Sequence, residues 1–67
     1  MNYIIYITEP ETLASTFLID GEKKRVEGFL KFWKLYRPMT IISILEQTER
    51  ETKVLYEGET KDAPTKF

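Results

Sequence analysis

The chain has 67 residues, a net charge of -1 and a hydrophobic fraction of 42%, which suits one small domain. It contains no cysteine and no histidine. This excludes disulfides, zinc sites built from thiolate or imidazole, a thiol nucleophile and any histidine-based triad. The near-neutral charge also differs from the strongly basic balance of dedicated nucleic-acid binders. We therefore expect a protein that is not an enzyme and carries no metal or other cofactor.

The N-terminal sequence "MNYIIYITEPE" has no basic residues ahead of its apolar stretch, so it does not predict a secretory signal. No run approaches the roughly 18 apolar residues that a membrane-spanning helix needs. We accordingly expect a cytoplasmic protein that does not use a membrane. The short length and the preference for Ile, Lys, Glu and Tyr are typical of small accessory reading frames in phages and other mobile elements.

The first half of the chain begins with two strand-like segments. Residues 2–8, "NYIIYIT", are β-branched and aromatic, and they predict a strand. The polar segment that follows fits either a single helical turn or a loop. Residues 15–21, "STFLIDG", predict a second strand that ends at an Asp-Gly turn signal.

The pattern from Glu22 to Arg37 predicts a helix, capped by Asp20 and stopped by Pro38. At 100° per residue, a charged stripe lies opposite an apolar one. The charged stripe consists of Lys23, Lys24, Glu27, Lys31 and Lys34, and the stripe predicted to face the core consists of Val26, Phe29, Leu30, Trp33 and Tyr36. In a competing interpretation the same segment forms a β-hairpin around Asp-Gly, which would make the protein a small all-β barrel.

The second half predicts two more strands and a tail. Residues 38–46 are strand-like, 47–52 form a polar connection, and 53–59 predict the last strand. The order β-β-α-β-β predicts a small α+β domain over residues 1–59, with one helix packed on an antiparallel sheet. Residues 60–67 are predicted to be a polar C-terminal tail.

Two predicted strands are apolar on both faces. Because strand side chains alternate, Ile4 and Tyr6 point away from the face that Ile5 occupies, and the strand at 38–46 has the same pattern. One helix can cover only one face of the sheet, so the second face needs a cover. A second copy of the chain, a partner or the tail ending in Phe67 would each provide one. We expect a homodimer, formed through this second face or through an edge strand.

The helix also has more apolar surface than a sheet requires. Its apolar arc spans roughly 220°, whereas packing on a sheet needs about 100° or somewhat more. The surplus predicts a partner-binding surface, because apolar anchors beside cations are enriched at protein interfaces. The predicted anchors are Phe32, Leu35 and Tyr36, and the predicted polar rim, which favours an acidic protein partner, is Lys31, Lys34 and Arg37. Alternatively, Phe32 and Leu35 are buried under the first loop or the tail.

These features lead to one functional hypothesis and two alternatives. The leading hypothesis is a protein-protein interaction module that blocks or adapts a larger protein. The first alternative is a small nucleic-acid-binding regulator that uses the basic and aromatic helix at 23–37. The second is a purely structural oligomer subunit. The carboxylates alternate with Lys and Arg, which is typical of a solvated surface rather than of catalysis or metal binding.

Overall fold

The computed structural model describes residues 1–66 and shows an open four-stranded antiparallel sheet with one helix on one face. The elements are β1 (Asn2–Thr8), β2 (Ser15–Asp20), α1 (Lys23–Tyr36), β3 (Ile41–Gln47), β4 (Thr52–Glu59) and the 3-10 turn η1 (Thr60–Asp62). The predicted α+β order β-β-α-β-β is confirmed. The barrel alternative is wrong, because residues 23–36 are helical and the sheet does not close.

The spatial strand order is β2-β1-β3-β4, with every neighbouring pair antiparallel. Strands β2 and β3 flank β1 and therefore run parallel to each other. A parallel connection needs a crossover of about a dozen residues or more, and the 14-residue helix α1 supplies it. No helix within residues 1–66 is long and apolar enough to cross a membrane.

The core lies between α1 and the inner face of the sheet. Val26 and Leu30 of α1 are fully buried there. The buried hydrophobic residues are Tyr3, Ile5, Ile7, Val26, Leu30, Ile42, Ile44 and Ala63. The predicted alternation in β1 is confirmed, since Ile5 is buried while Tyr6 on the opposite face is 47% exposed.

The predicted inward stripe of α1 is correct except at its last member. Phe29 and Trp33 are half-buried against the core, but Tyr36 is 59% exposed. Tyr36 is the last residue of α1, and its ring packs on the exposed ring of Phe32 instead of on the sheet.

The packed structure continues past Glu59 into η1 and Ala63, which together we call the C-terminal turn. Thr60 and Ala63 are buried, and the N–H of Thr60 donates to the carbonyl of Thr40 at 2.9 Å. The N–H of Lys61 donates to the carbonyl of Pro38 at 3.0 Å. Residues 38–40 are thus held by the C-terminal turn, which explains why β3 begins at Ile41 and not at residue 38 as predicted.

A pair of buried hydroxyls closes this junction. The hydroxyl of Thr40 donates to the carbonyl of Arg37 at 2.8 Å. The Thr60 hydroxyl has a single hydrogen. It donates this hydrogen either to Thr40 Oγ1 at 2.6 Å or to the Thr40 carbonyl at 2.9 Å. These bonds fix the end of α1 to the C-terminal turn.

The start of α1 differs from the prediction. The N-cap residue is Glu22, with no side-chain cap bond, so the prediction of Asp20 as the cap is wrong. Asp20 Oδ1 instead accepts a hydrogen bond from the Glu22 N–H at 2.7 Å, and Asp20 Oδ2 accepts one from Arg25 Nε at 2.7 Å. The carboxylate therefore joins the end of β2 to the first turn of the helix. The Arg25 guanidinium, followed by the Glu22 N–H, lowers the pKa of Asp20.

We expect this link to weaken in acid. The pKa of Asp20 is lower in the folded chain than in the unfolded one, where it is about 3.9. Its stabilisation is therefore complete above the unfolded pKa and is lost as the pH falls through the folded pKa. Unfolding by denaturant should show Asp20→Asn less stable than wild type at neutral pH, with the difference shrinking in acid. The exposed Glu49→Gln is the control, and a pH-independent difference would contradict this assignment.

Candidate partner-binding surface

Four large apolar side chains are exposed at the C-terminal end of α1 and in the turn that follows. Their exposed fractions are 55% for Phe32, 72% for Leu35, 59% for Tyr36 and 67% for Met39. We call these four residues the helix surface. Leu35 and Tyr36 follow Phe32 by three and four residues, so these three side chains lie on the same side of α1. The alternative in which Phe32 and Leu35 are buried is wrong.

Ring contacts connect this surface to the core. The Phe32 ring centroid lies 4.8 Å from that of Tyr36 and 6.4 Å from that of Trp33. Trp33 in turn lies 6.0 Å from Phe29, and both are half-buried against the core. Aromatic pairs at such separations attract each other beyond simple burial. The exposed rings of Phe32 and Tyr36 are thus connected to the core through Trp33.

A groove of about 390 Å³ lies beside the helix surface, between the β1–β2 turn and the end of α1. Its lining residues are Glu9, Pro10, Glu11, Tyr36, Arg37, Pro38, Met39 and Thr40. A second depression adjoins it and reaches Phe32 and Trp33. The two share Glu9, Tyr36 and Arg37, so the exposed apolar side chains stand next to a concave region of the surface.

The wall of the groove is fixed by backbone hydrogen bonds. The N–H of Arg37 donates to the carbonyl of Trp33 at 2.8 Å, which closes the last turn of α1. The carbonyl of Pro38 accepts the N–H of Lys61, and Thr40 is bonded to Thr60 as described above. Met39 therefore projects from a turn that is held on both sides.

The predicted polar rim is only partly assembled. Lys34 Nζ donates to the carbonyl of Ala63, so this cation supports the fold. Arg37 Nε lies 3.9 Å from Glu9 Oε1 in an exposed ion pair, an interaction worth about 0–1 kcal/mol. Lys31 is exposed and makes no ion pair within residues 1–66. Among the three predicted cations, Lys31 is thus the one available without breaking another contact.

Sequence reasoning missed two parts of this site. The sequence pattern predicts a strand at Met39, although its distance of three residues from Tyr36 continues the spacing of the exposed anchors. The acidic turn with Glu9 and Glu11 was not placed beside Arg37, because this neighbourhood depends on how β1 and α1 pack. No local pattern in the sequence reports it.

A second apolar surface covers the outer face of the sheet, and we call it the open sheet face. Its apolar members are Ile4, Tyr6, Phe17, Ile19, Ile41, Leu45 and Val54, which lie in register across all four strands. The described part of the C-terminal segment does not cover this face, since Thr60 and Ala63 pack on the helix side. Phe67, which was predicted as one possible cover, lies outside the described residues.

The carboxylates are spread over turns and strand ends, and within residues 1–66 they form no group that could hold a metal ion.

Protein-family models, curated proteins and solved structures give no match to this chain.

Proposed function

We propose that the chain is a non-enzymatic protein-protein interaction module that binds a larger protein through the helix surface and so blocks or adapts it. The observation that carries this proposal is the exposure of Phe32, Leu35, Tyr36 and Met39 beside a groove. Exposed aromatic anchors in well-ordered surroundings are the residues that dominate binding energy at interfaces. The hydrogen-bonded turn behind Met39 supports the same function by keeping the surface preformed.

The surroundings of the groove define the partner chemistry. The partner inserts an apolar side chain into the groove and packs against Phe32 and Leu35. An acidic group on the partner lies opposite Lys31, which keeps part of the predicted preference for an acidic surface. Glu9 and Glu11 add negative charge on the other side of the groove, so the partner is of mixed charge there.

The nucleic-acid alternative has less support from the geometry. Lys34 is bonded to Ala63, and Arg37 lies next to Glu9, so two of the three cations of the predicted polar rim are already engaged. Phe29 and Trp33 are half-buried against the core, which reduces the ring surface that they offer to bases. Capture with and without nuclease separates nucleic-acid binding from protein binding.

We expect Phe32→Asp to abolish partner capture while the fold remains intact. Phe32 is 55% exposed, and surface substitutions of this kind usually change stability by no more than about 0.5 kcal/mol. A central anchor contributes about 2 kcal/mol or more to binding, equivalent to roughly 30-fold in affinity. The measurement is affinity capture from a bacterial lysate, with and without nuclease, together with a denaturant unfolding curve for each variant.

Two further variants serve as controls. Leu13→Asp places the same charge at a 77% exposed position whose φ of 59° an aspartate tolerates, so it should leave capture unchanged. Val54→Asp changes a 54% exposed residue on the open sheet face and should also leave capture unchanged. If Val54→Asp abolished partner capture and Phe32→Asp did not, the binding site would lie on the open sheet face. Capture that disappears with nuclease would support nucleic-acid binding.

A further inference from the structure

The edge strand β2 lacks the features that normally keep a sheet edge from pairing. From Ser15 to Ile19 the sequence "STFLI" has no charged residue, no proline and no glycine, and the one charged residue of β2 is Asp20 at its end. Phe17 and Ile19 are 60% and 53% exposed on this strand. An extended, uncharged edge with exposed apolar side chains is a template for another strand.

The opposite edge, β4, carries several of these protective features. Its pairing with β3 shifts register between Ile44 and Leu45, which marks a bulge. It also contains Lys53, Glu57 and Glu59, and bulges and charges are the devices that discourage edge pairing. The two edges of the same sheet are therefore unequal, and β2 is the one suited to pairing.

The hydrogen bonding of β1 with β2 shows which groups of β2 point outward. The N–H of Glu9 donates to the carbonyl of Ala14 at 2.9 Å, so these two residues occupy a hydrogen-bonded pair position of the β1–β2 ladder, although the Ala14 N–H itself donates to Thr12 Oγ1. In an antiparallel ladder such pairs alternate with non-bonded ones. Residues 16, 18 and 20 therefore bond to β1, whereas Ser15, Phe17 and Ile19 direct their N–H and carbonyl groups away from the sheet.

We propose that β2 pairs antiparallel with β2 of a second copy of this chain, about a two-fold axis at Phe17. In this register Phe17 lies opposite Phe17 of the other copy, and Ser15 lies opposite Ile19. All three outward-facing residues of each strand are then bonded, with about six backbone hydrogen bonds in total. The two sheets become one continuous sheet of eight strands.

Three observations favour a second copy as the occupant of this edge. The facing segments are uncharged, so self-pairing brings no like charges together. The Tyr6 and Phe17 rings, stacked at 5.6 Å, meet their counterparts and form a row of four aromatic rings. A chain of 67 residues without cysteines has a small core, and association is one of the few remaining ways to add stability.

This pairing is independent of the proposed function, because α1 lies on the face of the sheet opposite Phe17. A two-fold axis perpendicular to the sheet places both helix surfaces on the same side of the dimer. Such a dimer would bind a partner with two sites more tightly than a single chain would.

The test combines the mass in solution with hydrogen exchange of the intact chain. Light scattering should give about 16 kDa, twice the chain mass of 8.0 kDa, and dissociation only on dilution. Amide exchange of Phe17 and Ile19 should be slow in the dimer and fast in the monomer. Phe17→Lys, which places two cations at the axis, should give a monomer. Val54→Lys, at a similarly exposed position of the other edge strand, should remain a dimer.

Each contrary result overturns the pairing. A wild-type chain that is monomeric at every concentration would exclude it. A dimer in which the amides of Phe17 and Ile19 exchange rapidly, or which Val54→Lys dissociates and Phe17→Lys does not, would place the contact on another surface. The wild-type exchange measurement decides the question even if Phe17→Lys fails to fold. None of these results depends on whether a partner binds the helix surface.

Discussion

Leu30→Ala should remove most or all of the folding stability of the chain at room temperature. Leu30 is fully buried between α1 and the inner face of the sheet. Truncating a buried leucine costs about 2–5 kcal/mol, through lost burial and the cavity that remains. A domain of this length has a net stability of only roughly 3–5 kcal/mol. Circular dichroism in increasing denaturant would show the transition displaced to very low denaturant or absent.

The matched control for this variant lies on the same helix. Leu35→Ala removes the same atoms from a side chain that is 72% exposed, and it should change stability by less than about 0.5 kcal/mol. Equal stability of the Leu30 and Leu35 variants would contradict the packing of α1 described above. A large loss for Leu35→Ala alone would mean that the helix faces the sheet in a different orientation.

Gly58→Ala should destabilise the fold by about 1–3 kcal/mol, because the backbone at this position is one that other residues rarely adopt. Its φ is 154°, and an added Cβ would lie 2.8 Å from Tyr56 Oη and 3.2 Å from Tyr56 Cζ. The Tyr56 hydroxyl donates to the carbonyl of Glu59 at 2.7 Å, so moving the ring would break that bond. The measurement is the unfolding free energy from denaturant titration.

Gly28→Ala is the control for this variant and should have the opposite sign. An added Cβ at Gly28 meets no atom within 4 Å, and the position is an exposed one inside α1. Alanine there should stabilise the chain by about 0.5–1 kcal/mol, because glycine is the less favourable residue in a helix interior. A Gly58→Ala variant as stable as wild type would contradict the backbone conformation at the end of β4.

The elements set by local patterns were predictable from the sequence. Strand β1 was predicted with its observed bounds, because a run of β-branched and aromatic residues and a terminal Glu-Pro are both local signals. Helix α1 begins one residue later and ends one residue earlier than predicted. The sequence also predicted more apolar surface than the core needs, because the apolar residues on each face of a helix or strand can be counted from its periodicity.

Features that depend on distant residues were not predictable. The C-terminal turn holds Pro38 and Thr40, and this delays the start of β3. Lys34 is paired with the carbonyl of Ala63, 29 residues away, although its helical position alone suggests a solvated cation. Glu9 approaches Arg37 only through the packing of α1 over the sheet. Such contacts decide which of the candidate site residues are available to a partner.

The helix surface and the open sheet face differ in how well each is prepared for a partner. The helix surface adjoins a groove and is braced by ring contacts and a hydrogen-bonded turn. The open sheet face is broad and includes Phe17 beside the β2 edge. We therefore propose partner binding at the helix surface and self-association at the β2 edge, a pairing that extends the sheet and leaves the open sheet face uncovered.

The most direct test is the mapping of backbone amide shifts by NMR. Isotope-labelled chain would be titrated with the purified protein that wild type captures and Phe32→Asp does not. We expect the largest shift changes within residues 31–39 and in the turn at residues 9–11, with little change along β4. The largest changes at Tyr6, Ile41 and Val54 would contradict the assignment and place the partner on the open sheet face.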